Sequence, residues 1–349
     1  MPEREMSSME RVLAVCRGEM PDRVPFVLTS REFGIKCHGM KFSQAYRDPD
    51  AYVASQVGLL ERFGLDGVYD IWCTPAVDEA MGAHMLIPED DSPSVPDPFL
   101  ERPEDLNKLQ PVDPQKDGRL PYLLEVVRKL KRAVGTDVPV IAWASPPFRT
   151  ACMLRGMVNF YQDFHRRPEF AKELLEVSYA ACVAYGKALV DAGADIICTS
   201  NPVANMDCIS RKAYAEFSHP YSKRMWGELK EHGAKAVLFH TCGRWLDRYD
   251  LVCDENIDVV HCDKIELAEF KAKYTERVAV MGNVRSVMTL LHGAEEDVRR
   301  ETLECLRQGA PFGRYIASAD CAVPRDTPPA NVQAMAGVVK QYGKYPLQW

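Results

Sequence analysis

His240 and Cys242 stand two positions apart in the segment His240-Thr241-Cys242-Gly243, and a further cysteine, Cys321, follows Asp320 far downstream. In extended chain, residues two apart share one side, so this imidazole and this thiol point the same way. One imidazole nitrogen and two thiolates suit a borderline-soft ion such as Zn2+, and three protein ligands leave a fourth position for water or substrate. An open position belongs to catalysis rather than scaffolding. Taken alone, His-x-Cys is a weak motif, and a satisfied histidine beside a buried thiol is its more ordinary explanation. The metal reading gains weight only from where the three residues fall among the elements of the chain.

Those elements are short β-branched runs, each reached through an amphipathic segment and a glycine or asparagine turn, as expected of strands buried on both faces. Eight can be counted: 24–28, 67–72, 138–144, 195–199, 236–240, 258–262, 278–281 and 315–319. Phe63-Gly64-Leu65-Asp66, Ala192-Gly193-Ala194-Asp195 and His232-Gly233-Ala234-Lys235 each put glycine where a helix should end before the next strand. Segments 168–192 and 295–309 carry apolar residues at helical spacing, the first with proline in its opening turn. The pattern predicts an α/β fold, a (β/α)8 TIM barrel, with an extra N-terminal helix over 6–17 capped by Ser7 or Ser8. An open doubly wound sheet is the alternative, but no glycine-rich dinucleotide fingerprint follows the first run. Residues 87–114, rich in proline and acids, read as an exposed excursion after the second strand rather than a linker, so residues 1–349 are assigned to one domain.

Barrel enzymes build their sites at the C-terminal ends of the strands. His240 and Cys242 close the fifth run and Cys321 follows the eighth, so the three candidate ligands meet at one rim. The sixth run ends His261-Cys262-Asp263-Lys264, where Asp263 is a candidate for supporting the ligands or for occasional fourth ligation. There, core packing of His261 and Cys262 with Asp263 starting a helix is an equal reading. Thr199-Ser200-Asn201-Pro202 ends the fourth run and offers Asn201 to a pocket, or makes an ordinary turn. Arg31, Glu32, Asp70 and Glu79 fall near the first two strand ends, where such charges are usually solvated. Phe148, Met153, Met157 and Phe160 read as helix core, or as an apolar wall for a flat macrocycle.

Composition bounds the partners. Among 349 residues, 46% are hydrophobic, enough for a large core, and the formal charge of −7 argues against nucleic acid or an anionic membrane as partner. No apolar run approaches a bilayer span and the chain opens Met1-Pro2-Glu3-Arg4-Glu5, so a cytoplasmic location is expected. The 12 cysteines are then expected reduced, mostly as small core residues, and no Cys-x-x-Cys pair occurs.

Several segments together resemble the uroporphyrinogen decarboxylase superfamily over nearly the whole chain. They are Glu10-Arg11-Val12-Leu13 through Asp22-Arg23-Val24-Pro25, Glu79-Ala80-Met81-Gly82, Arg167-Pro168-Glu169-Phe170, 210–221, Met281-Gly282-Asn283-Val284, and Cys321 through Asp326-Thr327-Pro328-Pro329-Ala330-Asn331. The His-x-Cys followed by a distant Cys is similar to its zinc-dependent methylcobamide:coenzyme M methyltransferase branch. The resemblance implies that His240, Cys242 and Cys321 hold zinc, that zinc keeps a small thiol as thiolate, and that a methyl group moves to it from a corrinoid on a separate carrier protein. Asn201, Asp263, Asn283 and Asp70 become the candidates for contact with substrate, and a homodimer is a possibility. The decarboxylases proper carry Arg-Gln-Ala-Gly-Arg after the first strand. Here Arg31-Glu32-Phe33-Gly34-Ile35 keeps one arginine, replaces the other by Ile35 and adds an acid, a poor setting for a polycarboxylate. Three alternatives to thiol methylation stay open. They are a first methyltransferase that moves methyl from a methoxylated aromatic or other donor onto cobalt, a porphyrinogen carboxy-lyase, and a non-enzymatic partner-binding barrel.

Overall fold

In the computed structural model, which describes residues 4–348, seven of the eight runs form one parallel sheet whose strands follow each other in chain order. They are β1 (Val68–Tyr69), β2 (Val140–Trp143), β3 (Ile196–Ser200), β4 (Ala236–Thr241), β5 (Val259–Cys262), β6 (Ala279–Val284) and β7 (Tyr315–Ala319). Helices lie between successive strands, and nearest-neighbour parallel order curls the sheet into a TIM-barrel-like α/β fold.

The first run, 24–28, is not a strand, which corrects the eight-stranded expectation. Phe26 makes an isolated parallel bridge with Ala317. The Val27 N–H donates to the Ala317 carbonyl at 3.1 Å, and the Ala317 N–H to the Pro25 carbonyl at 2.9 Å. On the other side the Asp66 N–H donates to the Phe26 carbonyl at 2.7 Å, while the Phe26 N–H is taken by the Asp66 carboxylate at 2.8 Å. Pro25 has no N–H to extend a ladder. A one-residue bridge and a side chain therefore close the seam between β7 and β1. Strand limits also shift: β1 stops short of 72, where Trp72 adopts a left-handed φ of 46°, while β4 and β6 run on to Thr241 and Val284.

Alternate strand residues face the barrel interior, as period two requires. Tyr69, Ile141, Trp143, Ile196, Cys198, Ala236, Leu238, Val259, Ala279, Met281 and Ile316 form one inner cluster. The N-terminal helix, Ser8–Arg17, adds Val12, Val15 and Cys16 to it. Its Met9 N–H donates to the Asp137 carbonyl at 2.7 Å, just ahead of β2, so the helix plugs the N-terminal end of the barrel. The helix starts later than expected from 6–17 because Ser7 caps it in a reciprocal pair with Glu10. Arg11 then bonds Asp22 at 2.7 Å and the fully buried Asp66 at 2.8 Å, tying plug, closing segment and β1 together.

The outer helices cover the sheet. The long helix Pro168–Asp191 packs against Pro147–Arg155 and His219–His232, and Glu295–Gly309 against Pro329–Tyr342. Phe148 and Phe160 meet with ring centroids 5.5 Å apart in the outer core, so these rings serve packing rather than a macrocycle wall. The excursion after the second strand is less exposed than its composition suggests. It contains a 3-10 turn, Pro103–Lys108, and the buried Leu100, whose N–H donates to the Leu154 carbonyl at 2.8 Å. The 12 cysteines are all free thiols, eight of them buried. Among the described residues no helix is long and apolar enough to cross a membrane.

Candidate metal centre

His240 is the fifth residue of β4 and continues the inward set Ala236 and Leu238 by the two-residue period. Its ring therefore lies inside the mouth, 3% exposed. Thr241 points the other way, giving its hydroxyl to the His261 carbonyl at 3.1 Å and pairing with the Tyr249 hydroxyl at 3.0 Å. Cys242 returns to the inner side, and Cys321 arrives two residues beyond the end of β7. The ligand atoms of His240, Cys242 and Cys321 all lie within 4.8 Å of one another, the one such group of three or more metal-binding side chains among the described residues. His240 Nε2 faces the Cys321 sulfur at 3.4 Å.

The chemistry of this donor set fits zinc: two sulfurs and one nitrogen, contributed by two strand ends with a side open to solvent. The two thiols titrate together: their contact, with His240 beside it, draws the Cys242 thiol far below its usual range, while the same contact and burial raise Cys321. The pair surrenders its first proton easily and keeps its second. The Nδ1 atom of His240 is buried without a hydrogen-bond partner, which frees the ring to present Nε2 but leaves its orientation to packing.

That packing comes from His261. Its ring centroid lies 4.4 Å from that of His240. Its Nε2 donates to the Ala319 carbonyl at 2.8 Å, so it reaches past β6 to brace the residue two positions before Cys321. Burial, then the neighbouring imidazole, pushes its pKa well down, so it serves as a neutral brace.

The loop that carries Cys242 is held from three sides. Asp263 accepts from the Gly243 N–H at 2.9 Å, and the Cys242 carbonyl accepts from Trp245 Nε1 at 3.0 Å and Asn205 Nδ2 at 3.4 Å. Gly243 has φ 89°, and a Cβ there would come within 2.6 Å of Asn205 Nδ2. Asp263 is thus engaged with backbone beside the centre, outside the group of three ligands. Cys262 is buried in the outer core. The Cys321 side is anchored by Asp320, which accepts from the Ser286 N–H at 2.9 Å. Neither Trp245 nor Asn205 stood out in the sequence, although a tryptophan two residues after the glycine that follows Cys242 was the available signal.

A cavity of about 920 Å³ opens beside Cys321, lined in part by Leu246, Asp263, Asn283, Met288 and Asp320. Asn283 donates Nδ2 to the Ile265 carbonyl at 2.9 Å and the Asp263 carbonyl at 3.3 Å, fixing the loop that follows β5. Asn201 is buried, with Nδ2 on the Ser218 hydroxyl at 3.2 Å and Oδ1 unpartnered. Asp70 and Arg31 belong to the opposite side of the mouth, and they are not the solvated charges expected there. The Asp70 carboxyl is buried and pushed up to about 7 by desolvation; the Arg31 side chain is 12% exposed. The apolar covering of Tyr46, Tyr52 and Trp72 takes them out of water.

This is an enzyme fold with its reactive groups at the strand ends, and comparison with known proteins identifies its family. Residues 7–342 match the family model for uroporphyrinogen decarboxylase (URO-D). The chain belongs to the uroporphyrinogen decarboxylase family. It is 25% identical to the methylcobamide:CoM methyltransferase MtaA of Methanosarcina barkeri, over 97% of this chain and 99% of that one. It is 26% identical to a uroporphyrinogen decarboxylase of Dechloromonas aromatica, over 82% of this chain and 81% of that one. A solved methyltransferase from Methanosarcina mazei superposes with a TM-score of 0.88 at 23% identity, covering 97% and 99% of the two chains.

Proposed function

We propose that this enzyme moves a methyl group between a corrinoid held by a separate carrier protein and a small thiol bound at a zinc centre formed by His240, Cys242 and Cys321. The observation that carries the reading is the meeting of two sulfurs and one imidazole nitrogen within 4.8 Å at the open end of the barrel. Methyltransferases acting on methylcobamide stand among its relatives along its full length, which supports the same direction of chemistry. A zinc ion bound there supplies acidification: a coordinated thiol loses its proton at neutral pH and becomes a nucleophile.

The chain's own residues provide the setting. His240 and the two cysteines fix where the acceptor sulfur sits; His261 stays neutral and braces both ligand-bearing strand ends. Asp263 holds the Cys242 loop by its Gly243 N–H, and Asp320 ties the Cys321 loop to the Ser286 N–H after β6. The cavity beside Cys321, with Leu246 and Met288 exposed at its edge, leaves room for a large methyl-bearing group to approach from solvent.

Decarboxylation is the second reading, favoured by the buried Asp70 and Arg31. Arg31 is, however, engaged by Glu32, and Ile35 stands where a second arginine would be needed. Two measurements decide between them. Purified protein should contain one zinc per chain, lost in Cys242→Ala and Cys321→Ala. Methylcobalamin should then be demethylated by added small thiols, with a change in its visible spectrum. A zinc-free protein that converts uroporphyrinogen would overturn the proposal. Transfer from methoxylated aromatics to cobalt(I), without thiol turnover, would reassign the direction.

A further inference from the structure

The cavity beside Cys321 joins two unlike surfaces. Its far wall is one face of the helix Glu295–Gly309, along which Glu301, Glu304, Cys305 and Gln308 recur at helical spacing. The helix Leu267–Tyr274 packs alongside, and Glu266 and Glu269 at its start extend that wall. The lip is apolar: Leu246 from the loop after β4, and Val287 and Met288 from the turn after β6. These three side chains are 64%, 49% and 65% exposed. Single exposed apolar residues need no explanation, but three at the edge of one cavity of about 920 Å³, beside polar groups, have the character of an interaction site.

The charges on the wall are unbalanced. Six acidic and two basic side chains line the cavity. Arg285 is spent on Glu301 at 2.8 Å. Lys264 lies near enough to Cys242 and Asp207 to draw both toward ionisation, so its charge serves the metal side. Among the described residues Glu266, Glu269 and Glu304 have no ion-pair partner, and all three are exposed. Unspent negative charge next to an apolar lip complements a protein surface in which basic groups flank an apolar one. A second copy of this chain does not fit, because each chain carries a formal charge of −7 and would bring more acid to an acidic wall.

We infer that this cavity is where the carrier protein docks, through a segment that places a bulky apolar side chain between lysines or arginines. The apolar residue fills the lip formed by Leu246, Val287 and Met288 and leaves water, and its basic neighbours face Glu266, Glu269 and Glu304. Cys321 lines the same cavity, so a carrier seated here delivers its cargo on the metal side of the mouth. Exposed ion pairs are individually weak and steer encounter more than they hold a complex, so the lip supplies affinity and the glutamates supply orientation and speed. That the segment belongs to a carrier rests on the methyl-transfer reading; the seat for a basic, apolar segment does not.

Fluorescence anisotropy of the full chain with a labelled octapeptide, two leucines between pairs of lysines, tests this at low salt. The peptide should bind saturably, and more weakly as salt is added. Replacing its lysines by glutamate should abolish binding, and replacing its leucines by serine should weaken it at least about tenfold. Glu269→Lys with Glu304→Lys should weaken binding about tenfold, and Met288→Ser about fivefold. Glu231→Lys, a like charge change at an exposed position of the helix His219–His232, should leave it unaltered. No saturable binding, equal binding of the glutamate or serine peptide, or a loss in Glu231→Lys equal to that of the double variant would each overturn the site. So would a dimer in sedimentation that Met288→Ser abolishes, since a second copy would then be the occupant. Peptide binding is read without methyl transfer, so either reading can fail while the other stands.

Discussion

Asp263 separates two ways of building the metal centre, and substituting it measures which one operates. In the structure its carboxylate holds the Gly243 N–H at 2.9 Å and so fixes the loop carrying Cys242. A hydrogen bond to a charged acceptor is worth about 1.5–3 kcal/mol, and because Asp263 is only half-buried the lower end applies. Loosening the loop by about 1.5 kcal/mol should cost zinc affinity roughly tenfold, at the bottom of the range for residues that orient ligands. Asp263→Ala should show this loss when zinc is titrated against a chromophoric chelator. Asp263→Asn keeps an oxygen that can accept from Gly243 and should recover affinity to within about threefold of wild type, since the remaining difference is one charge on an otherwise retained bond. If Asp263 were instead a fourth ligand, Asn would fail as badly as Ala, because an amide oxygen is a much poorer zinc donor than a carboxylate. Wild-type affinity in Asp263→Ala would refute the positioning role altogether.

Other consequences are equally open to measurement. A Cβ on Gly282 would lie 3.0 Å from the Cys262 carbonyl at a φ of 126°, so Gly282→Ala should lower urea stability by about 1–3 kcal/mol. Arg11→Met leaves the fully buried Asp66 carboxylate with the half-exposed Arg23 as its one charged partner beside the Ser8 hydroxyl and the Phe26 N–H, and thermal unfolding should report a loss of about 3 kcal/mol. Burial raises Asp70 to about 7, well above the ordinary aspartate value of about 3.9, so between these values the folded protein binds more protons than the unfolded chain. Stability relative to Asp70→Asn should therefore fall as pH rises from 4 to 7 and level off above. The total change should be about 2–4 kcal/mol, and a difference independent of pH would contradict the burial of this carboxyl.

The barrel was legible because parallel strands buried on both faces leave a continuous apolar signature, and the helices before β1 to β4 end at or beside a glycine, Gly64, Gly135, Gly193 and Gly233. The same signature misled at 24–28. Val24, Phe26, Val27 and Leu28 look like any other buried run, and they are buried, but Pro25 and the side chain of Asp66 take over the bonding that a ladder would make. Burial is written in composition; hydrogen-bond partnership across 40 residues of chain is not. The meeting of the candidate ligands was legible for a related reason. Counting strands put His240, Cys242 and Cys321 at one rim, and geometry brought them together. Asn201 and Asp70 fell at the same rim by that logic, yet one is tied to Ser218 and the other buried beneath Trp72.

What strand counting could not supply is how the mouth divides its labour. The ligands come from the ends of β4 and β7, and their supports, Asp263, His261 and Asp320, come from β5, β7 and the loops between. Each support acts through backbone, on Gly243, Ala319 and Ser286, so it constrains the ligands without adding charge to the coordination sphere. The segments that follow the first run, β1 and β2 do the opposite: there charges meet side chain to side chain, Arg31 with Glu32 and Arg149 with Asp78.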